Sequence, residues 1–190
     1  MIDKPSLRRA ILAQRDALSQ QEREHKSAEI MERLITLPEY ESARSVFVYA
    51  DFKSEVMTRE LMVHILDSGK RLLASRTLFD ERRLALTPIL DPHRDLVTGY
   101  MGIPEPREDM MEDTPATEID LTLTPAVGYD MAGNRLGYGG GFYDRLFGEI
   151  RDDAPRVGLS FEIQIVPKVP AEDHDIRIPI IVTEARVIRI

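Results

Sequence analysis

The chain has 190 residues, of which 43% are hydrophobic and 31% charged, a composition typical of one folded globular domain. It contains no cysteine, which excludes disulfide scaffolds, thiolate metal sites and cysteine nucleophiles. A formal charge of −8 argues against nonspecific binding to nucleic acid, and no apolar run approaches the roughly 20 residues of a membrane span. We therefore expect a single domain over residues 1–190 that is cytoplasmic and monomeric and binds neither nucleic acid nor membrane.

The first predicted helix follows Asp3, a favoured capping residue, and carries Pro5 in its first turn, where proline is tolerated. Three apolar residues recur at helical spacing and predict its buried stripe: Leu7, Ile11 and Leu18. Three cations fall on the adjoining flank, within about 40° of one another: Lys4, Arg8 and Arg15. The pattern predicts a cationic strip beside the buried stripe, and an ordinary solvated flank is the alternative.

The remaining elements alternate in a way that predicts the α/β fold class. A second helix is predicted from the capping box at Ser19 to about Leu37. A buried strand at 45–50, a helix at 58–68 ended by Gly69 and a strand at 71–74 are typical of a right-handed parallel βαβ unit. Residues 91–116 are rich in proline, glycine and acidic residues and predict a long loop. Further strands are predicted at 84–89, 121–127, 157–160, 180–182 and 187–190, with a helix at 141–150.

The segment 133–145 holds five of the chain's 11 glycines, between a buried strand and a helix. Glycine costs backbone entropy on folding, so such a cluster needs a reason. A strand, a glycine-rich loop and a helix N-terminus in succession let backbone N–H groups approach a phosphate closely. The spacing is not that of a Walker loop, and a purely structural glycine turn stays open as the alternative.

Two charged residues in this segment favour a phosphate site. Arg135 lies at the entrance of the loop, where a cation can pair with a phosphate oxygen. Asp144 lies at the start of the following helix, where a carboxylate would repel a bare phosphate but suits Mg²⁺ that bridges it to a nucleotide. The alternative for Asp144 is a first-turn acid that the helix dipole favours.

The segment 134–144, NRLGYGGGFYD, resembles the signature of the 5-formyltetrahydrofolate cyclo-ligase family, also called methenyltetrahydrofolate synthetases. Shorter segments resemble the family in the same order along the chain: KPSLR at 4–8, SEVMT at 54–58, GIPEP at 102–106, HDI at 174–176 and VT at 182–183. The resemblance covers nearly the whole chain, and its glycine-rich motif is specific.

The resemblance implies a three-layer α/β/α sandwich with a mostly parallel sheet. It also implies an enzyme that uses ATP and Mg²⁺ to close 5-formyltetrahydrofolate to 5,10-methenyltetrahydrofolate, with release of ADP and phosphate. Transfer of the γ-phosphoryl group to the formyl oxygen would make a poor leaving group into a good one, and a neighbouring nitrogen would then displace phosphate. Such a transfer needs mainly positioning and charge neutralisation from the protein.

The resemblance also implies a role for each matching residue. Lys4 and Arg8 would be the catalytic cations at the γ-phosphate, and Asp144 the metal ligand. Glu55 follows a strand's carboxyl end, where ligands of parallel sheets gather, and its carboxylate suits the 2-amino and N3–H edge of the pterin. The implied nucleotide-binding residues are Lys4, Pro5, Ser6, Leu7, Arg8, Arg135, Leu136, Gly137, Tyr138, Gly139, Gly140, Gly141 and Phe142. The implied folate-binding residues are Arg8, Ala50, Phe52, Glu55, Tyr138 and Tyr143.

Some positions depart from the family pattern. Tyr138 and Gly140 stand where some members carry Arg and Lys, so this loop is less basic. Pro179 stands where some members have a second metal-binding Asp, which favours Asp144 as a single protein ligand. All four histidines, His174 among them, fit structural roles better than catalysis. Two other functions stay open: another ATP-dependent enzyme on the same scaffold, and a non-catalytic protein that binds sugar phosphates or nucleotides.

Overall fold

The computed structural model describes residues 3–172 and 175–190, so His174 lies outside the described residues. Over these residues the strands are β1 (Ser45–Val48), β2 (Arg71–Leu78), β3 (Arg83–Ile89), β4 (Leu96–Thr98), β5 (Pro104–Pro106), β6 (Leu121–Thr124), β7 (Gly128–Asp130), β8 (Arg135–Leu136), β9 (Arg156–Leu159), β10 (Ile165–Val166), β11 (Ile180–Val182) and β12 (Val187–Arg189). The α-helices are α1 (Lys4–Asp16), α2 (Gln20–Ile35), α3 (Pro38–Ser42), α4 (Arg59–Asp67) and α5 (Phe142–Glu149). Within the described part of the chain, no helix is both long enough and apolar enough to cross a membrane.

The main sheet has seven strands in the order β12-β11-β9-β6-β1-β2-β3. Its five central strands, from β11 to β2, run parallel to one another. The two edge strands, β3 and β12, pair antiparallel with β2 and β11. The mostly parallel sheet that the family resemblance implies is therefore confirmed.

Successive side chains of a strand point to opposite faces of the sheet, so the apolar strands of this sheet need cover on both faces. Helices provide that cover on each face. Leu34 of α2 and Ile65 of α4 are fully buried in a core with Val46 of β1. On the opposite face, Phe47 of β1 packs in a second core with Phe147 of α5. The arrangement is the three-layer α/β/α sandwich that was expected.

A smaller sheet, in the order β10-β7-β8, lies against α1. Asp3 caps α1 by accepting a hydrogen bond from the Ser6 N–H at 2.7 Å, as predicted. Ile11 of α1 packs in a third core with Val127 and Leu136. Because β8 leads directly into the glycine-rich segment, this core fixes α1 beside that segment.

Two predictions about local structure were wrong. Residues 91–116 are not a plain loop, since β4 and β5 pair antiparallel within them. The strand predicted over 121–127 ends at Thr124 as β6, and the chain that follows it forms the β7–β8 pair, which was not predicted. The second helix ends at Ile35, near the predicted Leu37, and Pro38 begins the short α3.

Candidate active site

The carboxyl ends of β1, β6 and β9 meet at one edge of the main sheet, because these neighbouring strands run parallel. The chain passes from β1 to β2 on one side of β1 and from β6 to β9 on the other, so the crossover direction reverses between β1 and β6. Ligands of open α/β sheets bind at such switch points. A narrow recess lies at this edge and is closed in this structure, with no room for a water molecule; its lining includes Arg15, Tyr49, Glu55, Pro125, Ala126 and Leu159.

The loop between β1 and α4 positions Glu55 in this recess. Thr58 Oγ1 donates to Tyr49 O at 2.8 Å, and the Thr58 N–H donates to Asp51 Oδ1 at 2.8 Å. The Tyr49 hydroxyl donates to Val56 O at 3.0 Å. These bonds tie the two ends of the loop together, so that Glu55 is presented by a well-bonded turn.

The carboxylate of Glu55 is almost fully buried, with 7% of the residue exposed. The Phe52 N–H donates to Oε2 at 3.0 Å, and the Tyr138 hydroxyl donates to Oε1 at 2.7 Å. Burial raises the pKa of Glu55 above its ordinary value, while the bonds from Tyr138 and Phe52 oppose that rise. Tyr138 as a whole is 53% exposed, but desolvation at its hydroxyl end and next the charge of Glu55 raise its pKa, so this hydroxyl stays protonated and donates at neutral pH.

Arg15 also belongs to this group of side chains, and its place there was not predicted from the sequence. It is 2% exposed, so the predicted cationic strip does not stay at the surface here. Its Nε donates to Ser54 Oγ at 3.0 Å and its Nη2 donates to the Tyr138 hydroxyl at 2.9 Å. These partners lie 39 and 123 residues away along the chain, so helical periodicity could mark Arg15 only as a flank residue.

The glycine-rich loop between β8 and α5 has the backbone geometry that its composition suggested. Gly139 and Gly141 have φ angles of +100° and +70°, in the left-handed region that glycine favours. A Cβ on Gly140 would stand 2.7 Å from the Phe142 ring. Gly141 begins α5 without a side-chain cap, so the first N–H groups of this helix keep their hydrogen-bonding capacity. The segment fits a phosphate group.

Two predicted cations of α1 have different surroundings. The Nε of Arg8 donates to Gly137 O at 3.0 Å, which brings this guanidinium to the glycine-rich loop. Lys4 Nζ instead lies 3.0 Å from Glu172 Oε1 and 3.1 Å from Asp175 Oδ2. Lys4 is thus paired with two carboxylates of the C-terminal segment, whereas Arg8 contacts the predicted phosphate loop.

Arg135 and Asp144 form an ion pair, with Nη2 and Oδ1 2.9 Å apart. The Arg135 guanidinium also lies over the rings of Tyr143 and Phe147, at 5.4 and 5.5 Å from their centroids. Over residues 3–172 and 175–190, no group of three or more His, Cys, Asp or Glu side chains could hold a metal ion by itself. A single protein carboxylate such as Asp144, exchanging its partner Arg135 for the metal, would still suit Mg²⁺ that arrives with a nucleotide, because such an ion keeps several waters and takes one or two protein carboxylates.

Several predicted residues contribute mainly to packing. Tyr143 contacts both main cores, with its ring 6.2 Å from Phe47 and 5.9 Å from Phe147, and burial raises its pKa well above the ordinary value. Leu136 is 1% exposed, so it can meet a nucleotide only through its backbone. The first turns of α1 are formed by Pro5, Ser6 and Leu7, and the last of these packs against the third core.

An apolar surface at the same edge includes Ala50 and Phe52, two of the implied folate-binding residues, and other side chains that were not predicted. Phe52, half-buried after β1 with Ala50, has its ring 3.4 Å from where a Cβ on Gly102 would stand. Next to Gly102, Met101 is 76% exposed, and Tyr100 stacks on Phe79 with ring centroids 5.1 Å apart. No periodic pattern marks these residues, because they come from separate loops.

Comparison with known proteins agrees with the sequence motifs and the fold. The model of the 5-formyltetrahydrofolate cyclo-ligase family matches residues 1–184. The 5-formyltetrahydrofolate cyclo-ligases of Escherichia coli K12 and Haemophilus influenzae are 32% and 31% identical to this chain, covering 93% and 88% of it and 98% and 89% of their own lengths. The NMR structure of Aquifex aeolicus 5,10-methenyltetrahydrofolate synthetase is 31% identical, covers 98% of this chain and 92% of that one, and superposes with a TM-score of 0.85. The chain belongs to the 5-formyltetrahydrofolate cyclo-ligase family.

Proposed function

We propose that this chain closes 5-formyltetrahydrofolate to 5,10-methenyltetrahydrofolate at the edge formed by β1, β6 and the glycine-rich loop, with ATP as the phosphoryl donor. Membership of the family makes the chain a ligase of folate metabolism. One contact carries the assignment of the site. Tyr138 of the glycine-rich loop donates to Glu55 of the loop after β1 at 2.7 Å. This contact supports a single site in which the predicted nucleotide and folate residues act together.

Glu55 would recognise the pterin. Its two oxygens already accept one hydrogen bond each from the protein, and a carboxylate oxygen has two lone pairs, so each keeps room for one more donor. The 2-amino group and the N3–H of a pterin offer two donors on one edge. The apolar side chains beside Phe52 would then cover the aromatic remainder of the substrate.

The glycine-rich loop, the first turn of α5 and the cations beside them would hold the nucleotide. Backbone N–H groups from Gly137 to Phe142 suit the phosphate oxygens. Arg8 and Arg135, which both lie beside Gly137, would supply charge-assisted hydrogen bonds to the phosphates. Asp144 would bind Mg²⁺, directly or through water, and that ion would offset the phosphate charge. When the nucleotide binds, Lys4 would exchange the carboxylates of Glu172 and Asp175 for the γ-phosphate.

The chemistry follows from these positions. The formyl oxygen attacks the γ-phosphorus, the bond from that phosphorus to the bridging oxygen breaks, and ADP leaves. The nearby N10 then forms a bond to the formyl carbon, the C–O bond to phosphate breaks, and N10 loses its proton. Protein groups need only align the two substrates and stabilise the charge on the transferred group, and Lys4 and Arg8 are the residues that would do so.

Replacement of Arg8 by Ala tests this assignment, with Arg9→Ala as the matched control. Arg9 belongs to the same helix and is exposed, with its Nη2 bonded only to the neighbouring Ser6 hydroxyl. Loss of one charge-stabilising donor typically costs about 2.7–4 kcal/mol, so Arg8→Ala and Lys4→Ala should each lower kcat by roughly 10²–10³-fold. Arg9→Ala should turn over normally. If Arg8→Ala or Lys4→Ala keeps the rate of the control, the role given to that residue is wrong.

A further inference from the structure

Among the residues that the structure describes, one guanidinium nitrogen of Arg15 has no hydrogen-bond partner. The other two, Nε and Nη2, are bonded to Ser54 and Tyr138. The unpartnered nitrogen is Nη1, and it is buried. An unsatisfied buried donor is costly, and more so when it is charged, so one in a native protein calls for an explanation.

The surroundings of Arg15 point to a ligand as the missing acceptor. Arg15 lines the same recess as Glu55, at the switch point between β1 and β6. The Tyr138 hydroxyl accepts from Arg15 Nη2 and donates to Glu55 Oε1, so the guanidinium and the carboxylate flank one hydroxyl. If the recess opens to admit a ligand, it would present two kinds of group side by side: acceptor positions on Glu55 and an N–H donor on Arg15.

This pattern matches one edge of a pterin. Along that edge the 2-amino group and N3–H are donors, and the carbonyl oxygen at position 4 follows as an acceptor. Glu55 can accept from the two donors, which leaves the oxygen in need of a donor. We infer that Arg15 Nη1 donates to the oxygen at position 4 of the substrate's pterin while Glu55 accepts from the adjacent N3–H. The inference rests on the proposed role of Glu55 in folate binding.

The other two nitrogens of Arg15 would fix the direction of this donor. The guanidinium is planar, so bonds from Nε to Ser54 and from Nη2 to Tyr138 determine where Nη1 points. Ser54 is itself bonded to Asp16 at the end of α1, which holds this part of the recess together. Arg15 would thus recognise the oxygen at position 4, which Glu55, an acceptor, cannot bind.

Two probes separate this role from a structural one: 5-formyltetrahydrofolate, and its 4-thio analogue, in which sulfur, a weak hydrogen-bond acceptor, replaces the oxygen at position 4 while N3–H is kept. The binding of each is measured by calorimetry without ATP, for the wild type, Arg15→Met and the control Arg9→Met. The wild type should prefer the oxygen compound by at least about 10-fold, as expected for a charge-assisted hydrogen bond. Arg15→Met should lose about 10- to 100-fold in affinity for the oxygen compound and less than about threefold for the analogue. Arg9→Met should match the wild type on both.

Equal losses for both compounds in Arg15→Met would show that Arg15 only supports Glu55, and would overturn the inference. Equal affinities of the wild type for the two compounds would overturn it without any variant. If the wild type bound neither compound, the proposed folate site would fail as well, and this result differs from the other two. Because removal of a buried cation can unfold a protein, Arg15→Lys is the second variant. Its shorter ammonium cannot bond Ser54 and Tyr138 and still reach a third acceptor, so the preference for the oxygen compound should again collapse.

Discussion

Replacement of Glu55 by Gln removes one acceptor and the charge while keeping the shape of the side chain. In the wild type, the Tyr138 hydroxyl and the Phe52 N–H use one lone pair on each carboxylate oxygen. An amide keeps one oxygen and replaces the other by an NH₂ group, which is a donor. At least one of the two hydrogen bonds to the pterin edge is therefore lost in the variant.

The size of the effect follows from that loss. A hydrogen bond to a charged group contributes about 1.5–3 kcal/mol, and 1.4 kcal/mol corresponds to a tenfold change. The KM for 5-formyltetrahydrofolate should therefore rise roughly 10- to 150-fold in Glu55→Gln. The KM for ATP should change little, because Glu55 is bonded to the Tyr138 hydroxyl of the glycine-rich loop, whereas the phosphates would bind backbone N–H groups of that loop.

Initial rates from the absorbance of methenyltetrahydrofolate measure both constants, with one substrate varied while the other is saturating. Glu32→Gln, an exposed acid on α2, is the matched control and should behave as the wild type. Thermal unfolding of both variants establishes that they are folded. Equal increases in the two KM values, or no increase in either, would refute the assignment of Glu55 to the pterin edge.

Three further predictions follow from the geometry. Burial raises the pKa of Glu55, and only its ionised form can accept both pterin donors. On acidification the KM for folate should therefore begin to rise at a higher pH than it would with an ordinary glutamate, and a KM that stays constant down to pH 5 would contradict this. Asp144→Asn should raise the Mg²⁺ concentration needed for half-maximal rate and recover partly at high Mg²⁺, whereas an unchanged midpoint would argue against a metal ligand at this position. Gly158→Ala would place a Cβ 2.6 Å from the buried Tyr129 ring, so overpacking should lower the free energy of unfolding by about 1–3 kcal/mol and Tm by several degrees. The control Gly148→Ala adds its Cβ in open space and should not lower Tm.

Local signals in the sequence were sufficient for most element boundaries. The capping box at Ser19 and Glu22 is present, and Gly69, with φ +74°, follows α4 as predicted. These features depend on residues within one turn of each other, so they can be predicted from the local sequence alone. The buried strand that ends at Val48 was likewise predicted from its run of apolar residues.

Contacts between distant segments could not be predicted in the same way. Arg15 looks like a surface cation, and its burial depends on Ser54 and Tyr138, which only the folded chain brings to it. The β4–β5 pair was missed because Pro104 and Pro106 are unusual in strands, although an edge strand tolerates them. The pairing of Arg135 with Asp144 was also missed, because the two residues lie nine positions apart on either side of the glycine-rich loop and no local spacing rule joins them.

The glycine-rich motif has one feature that could be predicted from its sequence and one that could not. Its composition predicted a backbone able to approach phosphate, and the left-handed Gly139 and Gly141 agree with that prediction. The position of Tyr138 within it had no such signal, since a tyrosine in a phosphate loop suggests no particular partner. Its hydroxyl nevertheless joins Arg15 to Glu55 and so links the two halves of the site.

The most direct test of the account is to mix the wild-type chain with 5-formyltetrahydrofolate and follow the absorbance of methenyltetrahydrofolate. We predict a rise that requires both ATP and Mg²⁺, with one ADP formed per methenyltetrahydrofolate, and no rise when a non-hydrolysable ATP analogue replaces ATP. No rise with ATP and Mg²⁺, or a rise of equal rate without ATP, would contradict the account.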